Sequence, residues 1–181
     1  LIRALPVLGA IALLGPGCSG ANASTDPQPI ARSGATNAKV LHFAYETLDG
    51  KALSTETLAG RFTLIGFVAT YDMASQAEAR FLGSLLRRHT PRINVALLAL
   101  ESPENQPLVQ AFVQSMGLEY PVAMADAATI AGEGPFAGLH HVPSVVLLDR
   151  EGRERWRHVG LADEATIDKA LRDAEAEERR R

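Results

Sequence analysis

Three nearly unbroken apolar runs constrain this chain most. Phe62-Thr63-Leu64-Ile65-Gly66-Phe67-Val68-Ala69, Ile93-Asn94-Val95-Ala96-Leu97-Leu98-Ala99-Leu100 and Val145-Val146-Leu147-Leu148-Asp149 leave no polar face for water. Strands of that kind must be covered on both sides, as in the middle of an α/β sheet. Between the first two runs, Ala74 to His89 has helical spacing: Ala77, Phe81 and Leu85 share one stripe, widened by Leu82 and Leu86, and Arg80, Arg87 and Arg88 point elsewhere. Pro91 stops the helix. A strand–helix–strand order with a right-handed crossover makes the two strands parallel.

The flanking segments complete an α/β pattern. Val40 to Tyr45 reads as a short strand, and the Asp49-Gly50 pair between Leu48 and Leu53 reads as a hairpin turn. Ser54 to Leu58 reads as one helical turn ended by Gly60. Ser102 as cap and Pro103 at the first position start a helix carrying Leu108, Phe112 and Met116, which Gly117 closes. Tyr120 to Met124 is a short strand, and Asp126 caps another short helix. Glu154 to Val159 returns as an edge strand, with Arg155, Arg157 and Val159 on one face and Glu154, Trp156 and His158 on the other. Leu161 and Asp163 lead into a last helix with Ile167, Ala170, Leu171 and Ala174 buried, and the charged tail from Ala176 to Arg181 is expected to fray. The expected architecture is a mixed central sheet with helices on both faces, closed by a β-hairpin and a helix.

The first residues read differently. Leu8 to Leu14 is an apolar run of signal-peptide length, followed by Gly15-Pro16-Gly17-Cys18. Small residues before a cysteine after such a run are similar to a bacterial lipoprotein signal, which implies lipid attachment at Cys18. The expected organisation is a signal at 1–18, a flexible tether at 19–39 rich in small and polar residues, and one domain at 40–178. Cys18 is the only cysteine in 181 residues, which excludes a disulfide framework and a cysteine zinc site within one chain. A formal net charge of -3 gives nucleic acid no electrostatic attraction, and Trp156 reads as a packing residue.

Phe67-Val68-Ala69-Thr70-Tyr71-Asp72-Met73-Ala74-Ser75-Gln76-Ala77-Glu78 resembles the active-site segment of membrane-anchored thioredoxin-like redoxins of the cytochrome-maturation (TlpA/ResA) type. Other pieces agree in order and spacing: Thr47 to Lys51, Leu58 to Arg61, His141-Val142-Pro143-Ser144-Val145, Asp149 to Arg153 and His158-Val159-Gly160. The resemblance runs from about Phe43 to Leu171 and implies a thioredoxin-like fold with a cis-proline at Pro143. It also implies redox cysteines at positions 72 and 75, where this chain has Asp72 and Ser75. Peroxiredoxins, the sister family in fold, would need their reactive cysteine in the same region.

The departure carries the functional reading. Disulfide exchange needs an attacking thiolate and a second thiol to resolve the mixed disulfide. A carboxylate and an unactivated hydroxyl supply neither. No catalytic residue, cofactor or metal centre is expected. Asp72 at the cap, or Ser75 with Glu78 as a capping box, would serve the free N–H groups of the helix start. The resemblance places Tyr71, Asp72, Met73, Ser75, His140, His141, Val142 and Pro143 on one rim, where thioredoxin-like proteins dock extended peptide. The expectation is a redox-inactive binding or assembly module, exported to the cell envelope, held to the membrane through Cys18 and engaging an envelope protein or peptide. The alternatives are a thiol-disulfide oxidoreductase by homology and a copper or zinc carrier using His140, His141, Asp72 and Met73. Hydrolysis by Ser75 with His141 and Asp72 lacks a nucleophile elbow.

Overall fold

The computed structural model describes residues 39–180; Cys18, the signal segment and nearly all of the tether lie outside the described residues. The elements follow in the order β1 (Ala44–Glu46), β2 (Ala52–Ser54), α1 (Thr55–Leu58), β3 (Phe62–Val68), α2 (Met73–His89), β4 (Ile93–Ala99), α3 (Gln106–Met116), β5 (Val122–Met124), α4 (Ala127–Ile130), β6 (Ser144–Leu148), β7 (Glu154–Val159) and α5 (Glu164–Arg179). Strands β1 and β2 form a separate hairpin, and the main sheet has the order β5-β4-β3-β6-β7. Strands β3, β4 and β5 are parallel, and β6 and β7 run antiparallel to their neighbours.

Every residue of β3 is buried, as its composition demands. The chain moves from β3 to β4 to β5 in one direction across the sheet. Two right-handed crossovers in the same direction put their helices on the same face. That face therefore holds α2, α3 and α5, and its core joins Leu64, Leu82, Leu97, Phe112 and Leu171. Burying each such side chain is worth about 1.5–3 kcal/mol. The second face has only short helical pieces. Phe43 and Leu53 of the N-terminal hairpin region, Leu58 of α1, and Phe136 and Leu139 near a 3₁₀ turn at Gly134–Phe136 cover it.

The boundaries depart from the sequence reading in four places. The first strand begins at Ala44 rather than Val40, because residue 40 bridges to Arg153 and Leu41 N–H donates to the Gly152 carbonyl instead. Ser102 precedes a short 3₁₀ turn at Pro103–Asn105, and its side chain makes no capping bond; α3 begins only at Gln106. The alternation expected for β7 is broken. A register shift between Leu147 and Leu148 leaves Arg155 as the extra residue of a bulge. Arg155 then pairs with Glu177 of α5, on the side where Trp156 packs, and Arg157 pairs with Glu154 and donates to the Ala137 carbonyl. Finally, the tail does not fray at Ala176. Helix α5 continues to Arg179, tied down by Glu177 to Arg155 and by Glu178 to Arg150.

Gly66 sits where β3 passes closest to its neighbours. A Cβ there would lie 2.5 Å from Leu97 Cδ2 and 2.6 Å from Leu82 Cδ1, and both leucines are fully buried. Gly66→Ala is expected to lower stability by about 1–3 kcal/mol through overpacking, read as a lower urea midpoint with an unchanged slope.

Candidate functional site

Because β3, β4 and β5 are parallel and in register at Val68, Ala99 and Met124, their C-terminal ends form one edge of the molecule. In open α/β sheets that edge is where ligands bind. Strand β6 starts there, since Ser144 pairs with Phe67, and β7 ends there, since Val159 pairs with Ser144. The loops holding Thr70–Asp72, Glu101–Asn105, Ala125–Asp126, Leu139–Pro143 and Gly160–Asp163 thus share one pole.

Helix α2 starts at this pole, and Asp72 is its N-cap. Asp72 Oδ2 accepts from the Ser75 amide at 2.7 Å and from Ser75 Oγ at 2.7 Å. Ser75 Oγ in turn accepts from the Ala69 amide at 3.2 Å, and Ser75 is fully buried. The two side chains at the positions where the resemblance puts sulfurs are therefore bonded to each other and to the backbone. The capping box expected between Ser75 and Glu78 does not form. Asp72 takes the cap, and Glu78 turns inward, where its Oε2 accepts from the Ala162 amide at 3.0 Å.

The Pro143 turn adjoins this helix start through a short chain of bonds. The Val142–Pro143 peptide is cis. The Pro143 carbonyl accepts from the Gly160 amide at 2.8 Å, and two residues later Ala162 is held by Glu78, one turn beyond Ser75. Val142 is half-buried, and neither its amide nor its carbonyl takes a hydrogen bond among the described residues. Tyr71 and Met73 stand out from the surface at 77% and 83% exposure. His140 and His141 are exposed as well, with ring centroids 4.2 Å apart, and the His141 carbonyl accepts from Ser144 Oγ. Ser75 does not meet His141 in any described hydrogen bond, and its hydroxyl proton is given to Asp72 while its oxygen accepts from the Ala69 amide. Among the described residues, no group of three or more His, Cys, Asp or Glu gathers that could hold a metal ion.

Two carboxylates matter here: Glu78, which sequence reasoning considered only as a capping-box partner, and Glu101, which it left aside. Glu78 is fully buried with Oε1 unpartnered, and burial pushes its carboxyl up to about 7, partly offset by the Ala162 N–H. Glu101, 3% exposed, accepts from the Thr70 amide at 2.5 Å through Oε1, while Oε2 has no partner. The signal was present for both: Glu78 lies three residues after Ser75 on the inward stripe, and Glu101 directly follows a buried strand.

No family model matches the chain. Among curated proteins it is similar to the thiol-disulfide oxidoreductase ResA of Bacillus thuringiensis, 26% identical over 112 residues, which are 62% of this chain and 62% of that one. The chain thus aligns to less than two thirds of that relative's length. Among solved structures it resembles a DsbF homologue from Corynebacterium diphtheriae, with a TM-score of 0.70, 16% identity, and coverage of 91% of this chain and 99% of that one. It also resembles a thiol:disulfide interchange protein of the thioredoxin family from Chlorobium tepidum, with a TM-score of 0.66, 22% identity, and coverage of 78% and 99%.

Asp72→Ala removes the cap and the partner of a buried hydroxyl together. It is expected to lower stability by about 1–2 kcal/mol, with Asp72→Asn recovering much of the loss, as read by chemical denaturation. Glu78 generates a pH dependence. Its folded proton affinity is raised above the ordinary value of 4.5, so the native state keeps a proton that the unfolded chain releases. Its contribution is complete below about pH 4.5, falls as pH rises toward about 7, and is level beyond, by up to about 3 kcal/mol in all. Glu78→Gln should therefore gain stability over the parent at pH 8 and lose that advantage near pH 4.5.

The chain has the thioredoxin-like fold of these structures and is similar in sequence to ResA, and with Cys18 as its single cysteine the 181-residue sequence contains no cysteine pair.

Proposed function

We propose that this chain is a redox-inactive thioredoxin-like domain that works in the cell envelope as a binding or assembly module. The observation that carries the reading is the bonded pair of Asp72 and Ser75. Their oxygens complete the start of α2, and no sulfur stands in either place. Thiol–disulfide exchange passes through a mixed disulfide that a second thiol resolves, and two oxygens cannot form or resolve one.

What remains is a docking surface. Tyr71 and Met73 are exposed, large and partly apolar, at the same pole as a Val142 backbone whose donor and acceptor take no hydrogen bond among the described residues. An extended segment laid along Val142 would satisfy both backbone groups in the manner of an added strand. The rim of this reading is Tyr71, Asp72, Met73, Ser75, His140, His141, Val142 and Pro143. Ser75 contributes from beneath, since it is fully buried. Placement in the envelope rests on the kinship with ResA, on the secreted disulfide oxidoreductase of Mycobacterium tuberculosis that shares the fold, and on the signal-like residues ending at Cys18, whose lipid attachment belongs to the same proposal.

The purified full chain is expected to give no turnover in an insulin-reduction assay with dithiothreitol above the uncatalysed rate. Crosslinking in envelope fractions should capture a partner that a Tyr71→Ala/His141→Ala double variant loses. Turnover sensitive to Asp72→Ala, or an unchanged set of captured partners, would overturn the reading.

A further inference from the structure

We infer that the rim accepts an extended segment bearing lysine or arginine side chains next to apolar ones. This inference rests on the docking role proposed above and adds the chemistry of the occupant.

Charge is divided unevenly over the molecule. The loops at the rim pole carry Asp72, Glu104, Asp126, Glu133 and Asp163 at or near their surface, and residues 69–79, 100–109, 125–143 and 160–163 contain no lysine or arginine. None of these five carboxylates takes part in an ion pair among the described residues. The guanidinium that does touch these loops, Arg157 on the Ala137 carbonyl, is already matched by both oxygens of Glu154. Away from the rim the arginines and acids neutralise one another: along α5, Arg88 pairs with Glu164 and Arg172 with Asp168, and toward the far pole Arg92 pairs with Glu175 and Arg150 with Glu178. The uncompensated negative potential is thus concentrated around the rim, where it would steer a cationic partner inward.

A second observation is independent of the surface charge. Glu101 is buried directly behind the loop that presents Tyr71, holds the Thr70 amide with one oxygen and leaves the other without a donor. Glu78, behind the Pro143 side, has the same arrangement with Ala162. The bare Glu101 oxygen adds to the local demand for donors and positive charge. The exposed ring of Tyr71 offers a cation a face to sit on, and Met73 offers an adaptable apolar contact to the neighbouring side chain.

The test uses the full chain and two fluorescein-labelled octapeptides, one alternating lysine with valine and the other glutamate with valine, followed by anisotropy. The lysine peptide is expected to bind about tenfold or more tightly than the glutamate peptide, weakening several-fold between about 50 and 300 mM salt. Tyr71→Ala should abolish that binding. Glu104→Lys/Glu133→Lys, two exposed positions, should erase or invert the preference, and Arg61→Glu at the far pole should leave it intact. Equal binding of the peptides, or tighter binding of the glutamate peptide, overturns the inference. If either result comes with loss on Tyr71→Ala, the docking role itself survives. Binding of neither peptide, or binding indifferent to Tyr71→Ala, also overturns the inference. Docking at the rim fails as well only when, in addition, the double variant captures the same partners.

Discussion

Strand β3 decides where everything else goes. It is buried along its whole length, with a parallel neighbour on one side and an antiparallel one on the other. Its C-terminal end releases the chain into Ala69–Asp72 at the same level where β6 begins. The cap of α2 and the Pro143 turn are therefore brought together by sheet register before any side chain contributes. Gly66 allows this, since a larger residue there would press on Leu82 and Leu97 and shift α2 against the sheet.

The helix start shows how one scaffold can keep its shape without a sulfur at positions 72 and 75. The partial positive charge of free N–H groups at a helix N-terminus stabilises a thiolate, and it stabilises a carboxylate equally well. Asp72 exploits that field and brings Ser75 with it, so the local backbone needs no sulfur to hold its form. The neighbouring loops are held by buried acids, Thr70 by Glu101 and Ala162 by Glu78. The rim is consequently built from fixed pieces rather than from loops ordered by a ligand.

Much of this was legible beforehand. The apolar runs gave the buried strands, and the Asp49-Gly50 pair gave the hairpin, because burial and turn chemistry are local properties of those residues. The Asp72 cap was also foreseeable, although the choice between it and a Ser75–Glu78 box depended on Glu78 finding Ala162, 84 residues away. Arg155 facing α5 could not be read from alternation, since one bulge reverses the period. The firm end of α5 rests on the same kind of distant partner. Ala176 to Arg179 looks like a solvated tail until Arg155 and Arg150 are seen beside it.

The first described residues are fixed at the far side of the molecule from the rim. The bridge from residue 40 to Arg153 and the bond from Leu41 to Gly152 lie beside the turn between β6 and β7, away from the pole that carries Tyr71. A domain held through residues 39–41 would therefore present Tyr71 away from its point of attachment.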